Sequence, residues 1–323
     1  MSVEGRGPPR PFFVTMTTTT PTFSTKHKVI AAAVAALLFW ASAFVGTRVV
    51  LATFSPGELA LYRYGVASLT LALIACWLRP PLPAWRDLPR LSATGIIGIG
   101  IYGLALNYGQ IEISAGAASF IVNTSPLFSV FFAGIILKER LNAAGWIGLV
   151  LGLCGVGLIA LAEEGNGLSA GAGLVFIAAI CWAMYQIVQK PLLPRYGPLG
   201  VVCYAIWSGT LVLMPFFPSL LHTMQTAPAS HHSIVLYLGI LPGAVSFLAW
   251  SYLLAQLTVS KATPLLYLVP VLSIAIAWLA IGEKPAVLSV FGGLVAIAGV
   301  ALSHFASNQR NQVRDITTTV KPQ

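Results

Sequence analysis

The sequence predicts an all-α polytopic membrane protein with ten transmembrane helices in two inverted five-helix repeats. Three observations carry that prediction. The 323 residues are 57% hydrophobic and only 8% charged, with a mean hydropathy of +0.84. Soluble domains carry roughly 25% charged residues, so most of this chain has lipid as its solvent. The second observation is an internal repeat, which has to be recognised before a fold is assigned. Ala118 and Ala262, Pro126 and Pro270, Glu139 and Glu283, Gly148 and Gly292, and Gly155 and Gly299 all stand 144 positions apart. Tyr108 and Tyr252 keep that offset, while Trp40 and Trp182, and Tyr62 and Tyr204, pair at 142. The third is the distribution of Lys and Arg.

A bilayer-spanning helix needs about 20 apolar residues. Ten stretches meet that length, at approximately 29–50, 59–78, 91–111, 117–137, 143–162, 168–189, 198–217, 233–256, 262–281 and 286–305. Continuous apolar runs favour helices over the alternating strands of a barrel. With the N-terminus cytoplasmic, 15 of the 18 basic residues fall on cytoplasmic segments, leaving Arg48, Arg63 and Lys284. This asymmetry predicts both termini inside and a multi-pass protein of the cytoplasmic membrane. Five spans per repeat is an odd number, so the second copy enters the membrane upside down. The chain then divides into a disordered Pro/Thr-rich leader (1–28), a first repeat (29–162), a linker (163–167), a second repeat (168–305) and a cytoplasmic tail (306–323). Met1 and Met16 both offer starts. The Lys26-His27-Lys28 flank imitates a signal peptide, but the apolar run that follows is longer than an h-region.

The net charge of +9 does not point to nucleic acid. The basic residues sit in short pieces between spans and not along one face. Cys76, Cys154, Cys181 and Cys203 lie in apolar stretches without a CxxC spacing and read as packed thiols. No Gly-Lys dipeptide exists, so a Walker A loop is absent. His231-His232 has no further ligands nearby in sequence. No metal, cofactor or catalytic residue is expected.

Candidate site residues follow from polar and aromatic groups inside the spans. Pro126 and Pro270 break spans four and nine in equivalent positions, freeing the carbonyls of Val122 and Leu266. Such paired interruptions mark a transport site between halves. Asn123 and Ser125 flank the first break and Tyr267 the second. Trp40 and Trp182 sit inside spans one and six and not in an interfacial belt. Tyr185, Gln186 and Gln189 continue from Trp182 at helical spacing, a polar face that must turn toward protein or water. Tyr108 and Tyr252 add equivalent aromatics from spans three and eight. Arg63, one turn inside span two, reads either as a contact for an anionic substrate or as a side chain that snorkels outward or pairs with Glu58. Glu139 and Glu283 end spans four and nine as interfacial anchors. Gly148 and Gly152 form a GxxxG pair, which serves close helix packing or a homodimer.

The segment Asn123–Leu161, with Ser125-Pro126-Leu127 at its start, Lys138-Glu139-Arg140-Leu141 after span four and a glycine-rich span five, resembles the EamA domain of the drug/metabolite transporter (DMT) superfamily. Tyr267–Leu302 is its second copy. The resemblance implies ten helices, tandem EamA repeats and a central cavity lined from spans one, three, four, six, eight and nine. It further implies export of amino acids, their derivatives or other small metabolites, with membrane lipid and a small-molecule substrate as partners. The alternatives are a membrane-embedded enzyme acting on a lipid-linked substrate and a non-transporting scaffold.

Overall fold

The computed structural model describes residues 23–136, 143–164, 169–257, 262, 265–266, 268–299 and 301–302, and among them no strand occurs. In the first repeat, α1 (Phe23–Val50), α2 (Pro56–Leu78) and α3 (Leu88–Glu112) precede two short pieces, α4 (Ala115–Val122) and α5 (Ser125–Ile136), and then α6 (Ala143–Glu164). The second holds α7 (Ala170–Gln189), α8 (Leu193–Leu213), α9 (Phe217–Thr226), α10 (Ala229–Gln256), α11 (Leu268–Ile281) and α12 (Val287–Gly299). Helix thus occurs among the described residues of all ten apolar stretches. Five helical stretches among the described residues are long and apolar enough to cross a membrane. The longest, 170–226, is not one rod. Gly197 adopts φ 66° and ψ 170° within α8, and Pro198 follows. Only glycine takes that backbone region without strain, so the helix kinks there and the predicted seventh span begins.

Helix starts are set by short-range chemistry. At α2, Ser55 and Glu58 form a capping box: the Glu58 amide donates to Ser55 Oγ, and the Ser55 amide donates to Glu58 Oε2 at 2.9 Å. Ser114 and Ser169 cap α4 and α7, each worth about 1 kcal/mol. Two carboxylates reach across the fold to the same ends. Glu283 Oε1 accepts from the Ala115 amide at 2.9 Å, and Glu112 Oε2 accepts from the Gly171 amide at 2.6 Å. Glu283, read from the sequence as an interfacial anchor, holds the positive end of a helix dipole. Glu139, its repeat equivalent, lies outside the described residues, as do residues 1–22 and 165–168.

The repeat is visible in the backbone. Ile96–Ile101 in α3 and Gly239–Val245 in α10 are both π-helical, at equivalent positions. Neither widened turn was read from the sequence. Glycines at 98, 100, 239 and 243 and Pro242 loosen the ladder there. The two-fold relation itself shows where α6 crosses α12. A Cβ added to Gly155 would lie 2.5 Å from the Gly292 carbonyl oxygen, and one added to Gly299 would lie 2.6 Å from that of Gly148. Gly148 and Gly292 are equivalents, as are Gly155 and Gly299. The contact is therefore reciprocal, the mark of a two-fold axis between the copies. The GxxxG glycines are thus occupied by packing within the chain.

The thiols differ from one another. Cys181 and Cys203 are buried, whereas Cys76 and Cys154 are exposed on outer helix faces.

Candidate functional site

The broken fourth span forms one wall of a cavity between the repeats. Pro126 is the second residue of α5, in the first turn, where its missing amide donor costs nothing. The helix therefore ends at Val122, turns through Asn123 and Thr124, and restarts at Ser125. The turn secures itself locally: Thr124 Oγ1 donates to the Ile121 carbonyl and Asn123 Nδ2 to the Ser119 carbonyl, both at 2.7 Å. In the second repeat Pro270 is the third residue of α11. The prolines are buried behind the wall, and their neighbours Val122, Asn123, Leu266 and Val269 line the cavity.

The cavity has a volume of about 510 Å³, counted with the solvent at its mouth. Aromatic rings form its floor. Trp40 from α1 and Trp182 from α7, equivalents in the repeat, meet edge to face with centroids 5.2 Å apart. Phe247 packs against both, at 5.8 and 5.7 Å, and Tyr102 lies 5.6 Å from Trp182. Such pairs are each worth about 1 kcal/mol beyond simple burial. The Trp40 indole N–H donates to the Pro242 carbonyl at 3.3 Å, a group on the π-helical segment of α10. The π segment thereby fixes the orientation of a cavity ring.

The opposite end is polar. Thr47, Arg63 and Gln110 line it. Gln110 is fully buried, with Nε2 donating to the Phe44 carbonyl at 3.0 Å and Oε1 unpartnered. Arg63 is 6% exposed and its Nε has no hydrogen-bond partner. For Arg63, neither outward snorkelling nor pairing with Glu58 occurs. It stands seven residues inside α2, about 10 Å from the helix start, and is buried. Glu58 is engaged instead by Ser55 and by Thr223. The guanidinium lies 5.3 Å from the Tyr64 ring centroid. Arg48, also expected at the outer side, donates to the Gln110 and Ile111 carbonyls at the end of α3, where a cation complements the helix dipole.

The sequence-predicted set divides as follows. Trp40, Trp182 and Asn123 line the cavity. Tyr185 stacks on Trp182 at 5.2 Å from the layer behind, and Gln186 is buried beside it with both amide atoms unpartnered. Ser125 is buried and outside the lining. Tyr252 is half-buried and also outside it. Tyr108 is 42% exposed and faces away. The cavity face of α3 is set by Tyr102, Leu106 and Gln110, four residues apart, and Tyr108 is two residues from Leu106, about 200° round the helix. Tyr267 lies outside the described residues. Residues missed by the sequence reading are Gln110, Thr47, Tyr102 and Phe247. The signal for Gln110 was its i+4 spacing from Leu106 and i+8 from Tyr102 on one helix face.

The far ends of the cavity's helices are tied by polar contacts. Asp87 accepts from Arg195 at 2.5 Å and from the Tyr196 hydroxyl at 2.6 Å, linking the α2–α3 connection to the first turn of α8. At the other end Thr53 bonds His231 at 2.6 Å and Tyr62 bonds His232 at 3.0 Å. Among the described residues no group of three or more His, Cys, Asp or Glu gathers as a metal site.

Comparison with known proteins fits this geometry. The EamA-like transporter family matches the chain twice, at residues 27–161 and 169–305. A probable terminal-alkyne amino-acid exporter of Streptantibioticus cattleyicolor is 38% identical, over 85% of this chain and 93% of that protein. An uncharacterised transporter of Bacillus subtilis is 35% identical over 85% and 90% of the two chains. A probable amino-acid metabolite efflux pump of Escherichia coli is 25% identical over 86% and 95%. A crystal structure 18% identical superposes with a TM-score of 0.59, covering 86% of this chain and 95% of that one, and shares the fold. Two tandem matches over nearly the whole helical region, and relatives that are transporters along their full length, lead to one conclusion: this chain is a transporter belonging to the EamA-like transporter family.

Proposed function

We propose that the protein is a secondary exporter of small amino acids or close derivatives, working by alternating access at the cavity between its repeats. The observation that carries this reading is the cavity itself, lined from both repeats by Trp40 and Trp182 and walled by a broken helix. A ligand held there is gripped by two halves that can rock about their two-fold relation. The relative named as a terminal-alkyne amino-acid exporter supports a small amino acid with an apolar side chain. No chemical step is required of the chain, and a non-enzymatic role follows from this reading. The basic-residue asymmetry supports the cytoplasmic membrane with both termini inside. A homodimer would need a face other than the glycine crossing, which packs within one chain.

The test is efflux from proteoliposomes loaded with phenylalanine, leucine or propargylglycine. Saturable flux is expected, and joint alanine substitution of Trp40 and Trp182 should lower it at least about tenfold. Saturable flux that survives this double substitution would move the site elsewhere. Product formation without net flux would favour the enzyme reading.

A further inference from the structure

Building on the amino-acid reading above, we infer that Arg63 and Gln110 form a two-point clamp for the carboxylate and the ammonium group of a zwitterionic amino acid, with its apolar side chain against Trp40, Trp182 and Phe247. Arg63 is a buried cation with no acid paired to it among the described residues. Among the described residues it makes no ion pair and its Nε has no hydrogen-bond partner, its nearest acid in sequence, Glu58, is held by Ser55 and Thr223, and no Asp or Glu lines the cavity. A cation–π contact with the Tyr64 ring at 5.3 Å offsets only part of the cost of desolvating a guanidinium. An unpaired charge at this depth calls for an anionic ligand. A guanidinium fork matches a carboxylate in bidentate geometry.

Gln110 supplies the second point. The Phe44 carbonyl can only accept, so the Gln110 atom 3.0 Å from it is the amide nitrogen, which fixes the side-chain orientation. Oε1 is then an oriented, buried acceptor with no partner, suited to an ammonium N–H. Apart from Thr47 and Asn123 the rest of the wall is apolar or aromatic, with no further charge, so charged side chains would lose their hydration without compensation. A phosphate dianion is disfavoured, since Arg63 is the one cation among the lining residues. The clamp belongs to one repeat only: the equivalents of Arg63 and Gln110 are Ala205 and Leu254, both buried.

The experiment uses the purified full chain. Binding is read by quenching of intrinsic tryptophan fluorescence and flux by proteoliposome efflux, with phenylalanine, 3-phenylpropionate (no ammonium) and phenylalaninamide (no carboxylate). The expected order is phenylalanine, then 3-phenylpropionate, with phenylalaninamide weaker by about a hundredfold. Arg63→Gln should abolish the preference for phenylalanine over phenylalaninamide, and Arg63→Lys should restore part of it. Gln110→Leu should weaken phenylalanine and leave 3-phenylpropionate unchanged, a split that a general packing defect does not produce. Saturable phenylalanine flux with equal affinity for the amide, or with the preference intact in Arg63→Gln, overturns the clamp and leaves the transport reading standing. Absence of saturable flux for every amino acid tested overturns both.

Discussion

The glycine crossing and the cavity wall treat the repeat in opposite ways. Where α6 meets α12, the equivalents Gly148 and Gly292, and Gly155 and Gly299, do the same work on both sides of a two-fold axis. At the polar end of the cavity the equivalents differ in kind: Arg63 against Ala205, Gln110 against Leu254. Two backbones in contact along an axis impose one steric demand on both copies. A small ligand is not two-fold symmetric, so a wall that fits it cannot be either. The floor lies between these cases. Trp40 and Trp182 are equivalents that meet each other, yet among the described residues it is Trp40 that bonds a π-segment carbonyl.

That intermediate case gives the largest expected effect. Replacing either tryptophan by alanine removes an indole from a cluster of at least three rings and should cost about 3 kcal/mol of folding stability. If the floor is symmetric in energy as in sequence, Trp40→Ala and Trp182→Ala lower the melting temperature in detergent equally. The Pro242 bond predicts that Trp40→Ala costs about 1 kcal/mol more. Equal shifts would break the distinction between floor and crossing. At the crossing, Gly155→Ala and Gly299→Ala each drive a methyl into backbone that cannot step aside. Both should lose about 2 kcal/mol, and a large difference between them would mean that the two-fold relation is only approximate there.

Much of this was legible beforehand, for reasons that differ by element. Spans and repeats are written in runs of 20 residues, so hydropathy and counting recover them. Pro126 announces the broken fourth span because proline lacks a donor. Trp40, Trp182 and Asn123 were found because polar or bulky groups stand out within an apolar span. Arg63 stood between an anion contact and outward snorkelling because span position cannot say which way a helix is turned, and snorkelling depended on that angle. The same ignorance promoted Tyr108 and passed over Gln110, two residues apart on one helix. The π segments left no pattern strong enough to read, since their glycines serve packing equally well.

The helix-end carboxylates give a smaller effect. Glu283 and Glu112 each accept a hydrogen bond from an amide in the first turn of a helix. Glu283→Gln keeps an acceptor but removes the charge that favours the positive end of the dipole, an expected loss of about 0.5 kcal/mol. Glu112→Gln should match it. Thermal melting at low and high salt separates this from lost packing, because only a charge effect shrinks with ionic strength. A loss several times larger for Glu283 alone would give this connection a role beyond capping, in holding the repeats together.

Tyr108 provides the smallest effect and a direct comparison with its neighbour Gln110. The two share helix α3, yet one is 42% exposed and the other fully buried at the cavity. Tyr108→Ala removes a ring that points out of the bundle, so its stability should stay within about 0.5 kcal/mol and its phenylalanine flux should be unchanged. The equivalent Tyr252 is half-buried, and Tyr252→Ala should cost more stability, by loss of packing, without altering which solutes are carried. Flux assays with both variants across the solute panel make the comparison. A change in solute preference for Tyr108→Ala would require α3 to rotate by nearly half a turn during transport, because no smaller motion brings that side chain to the cavity face that Leu106 and Gln110 now occupy.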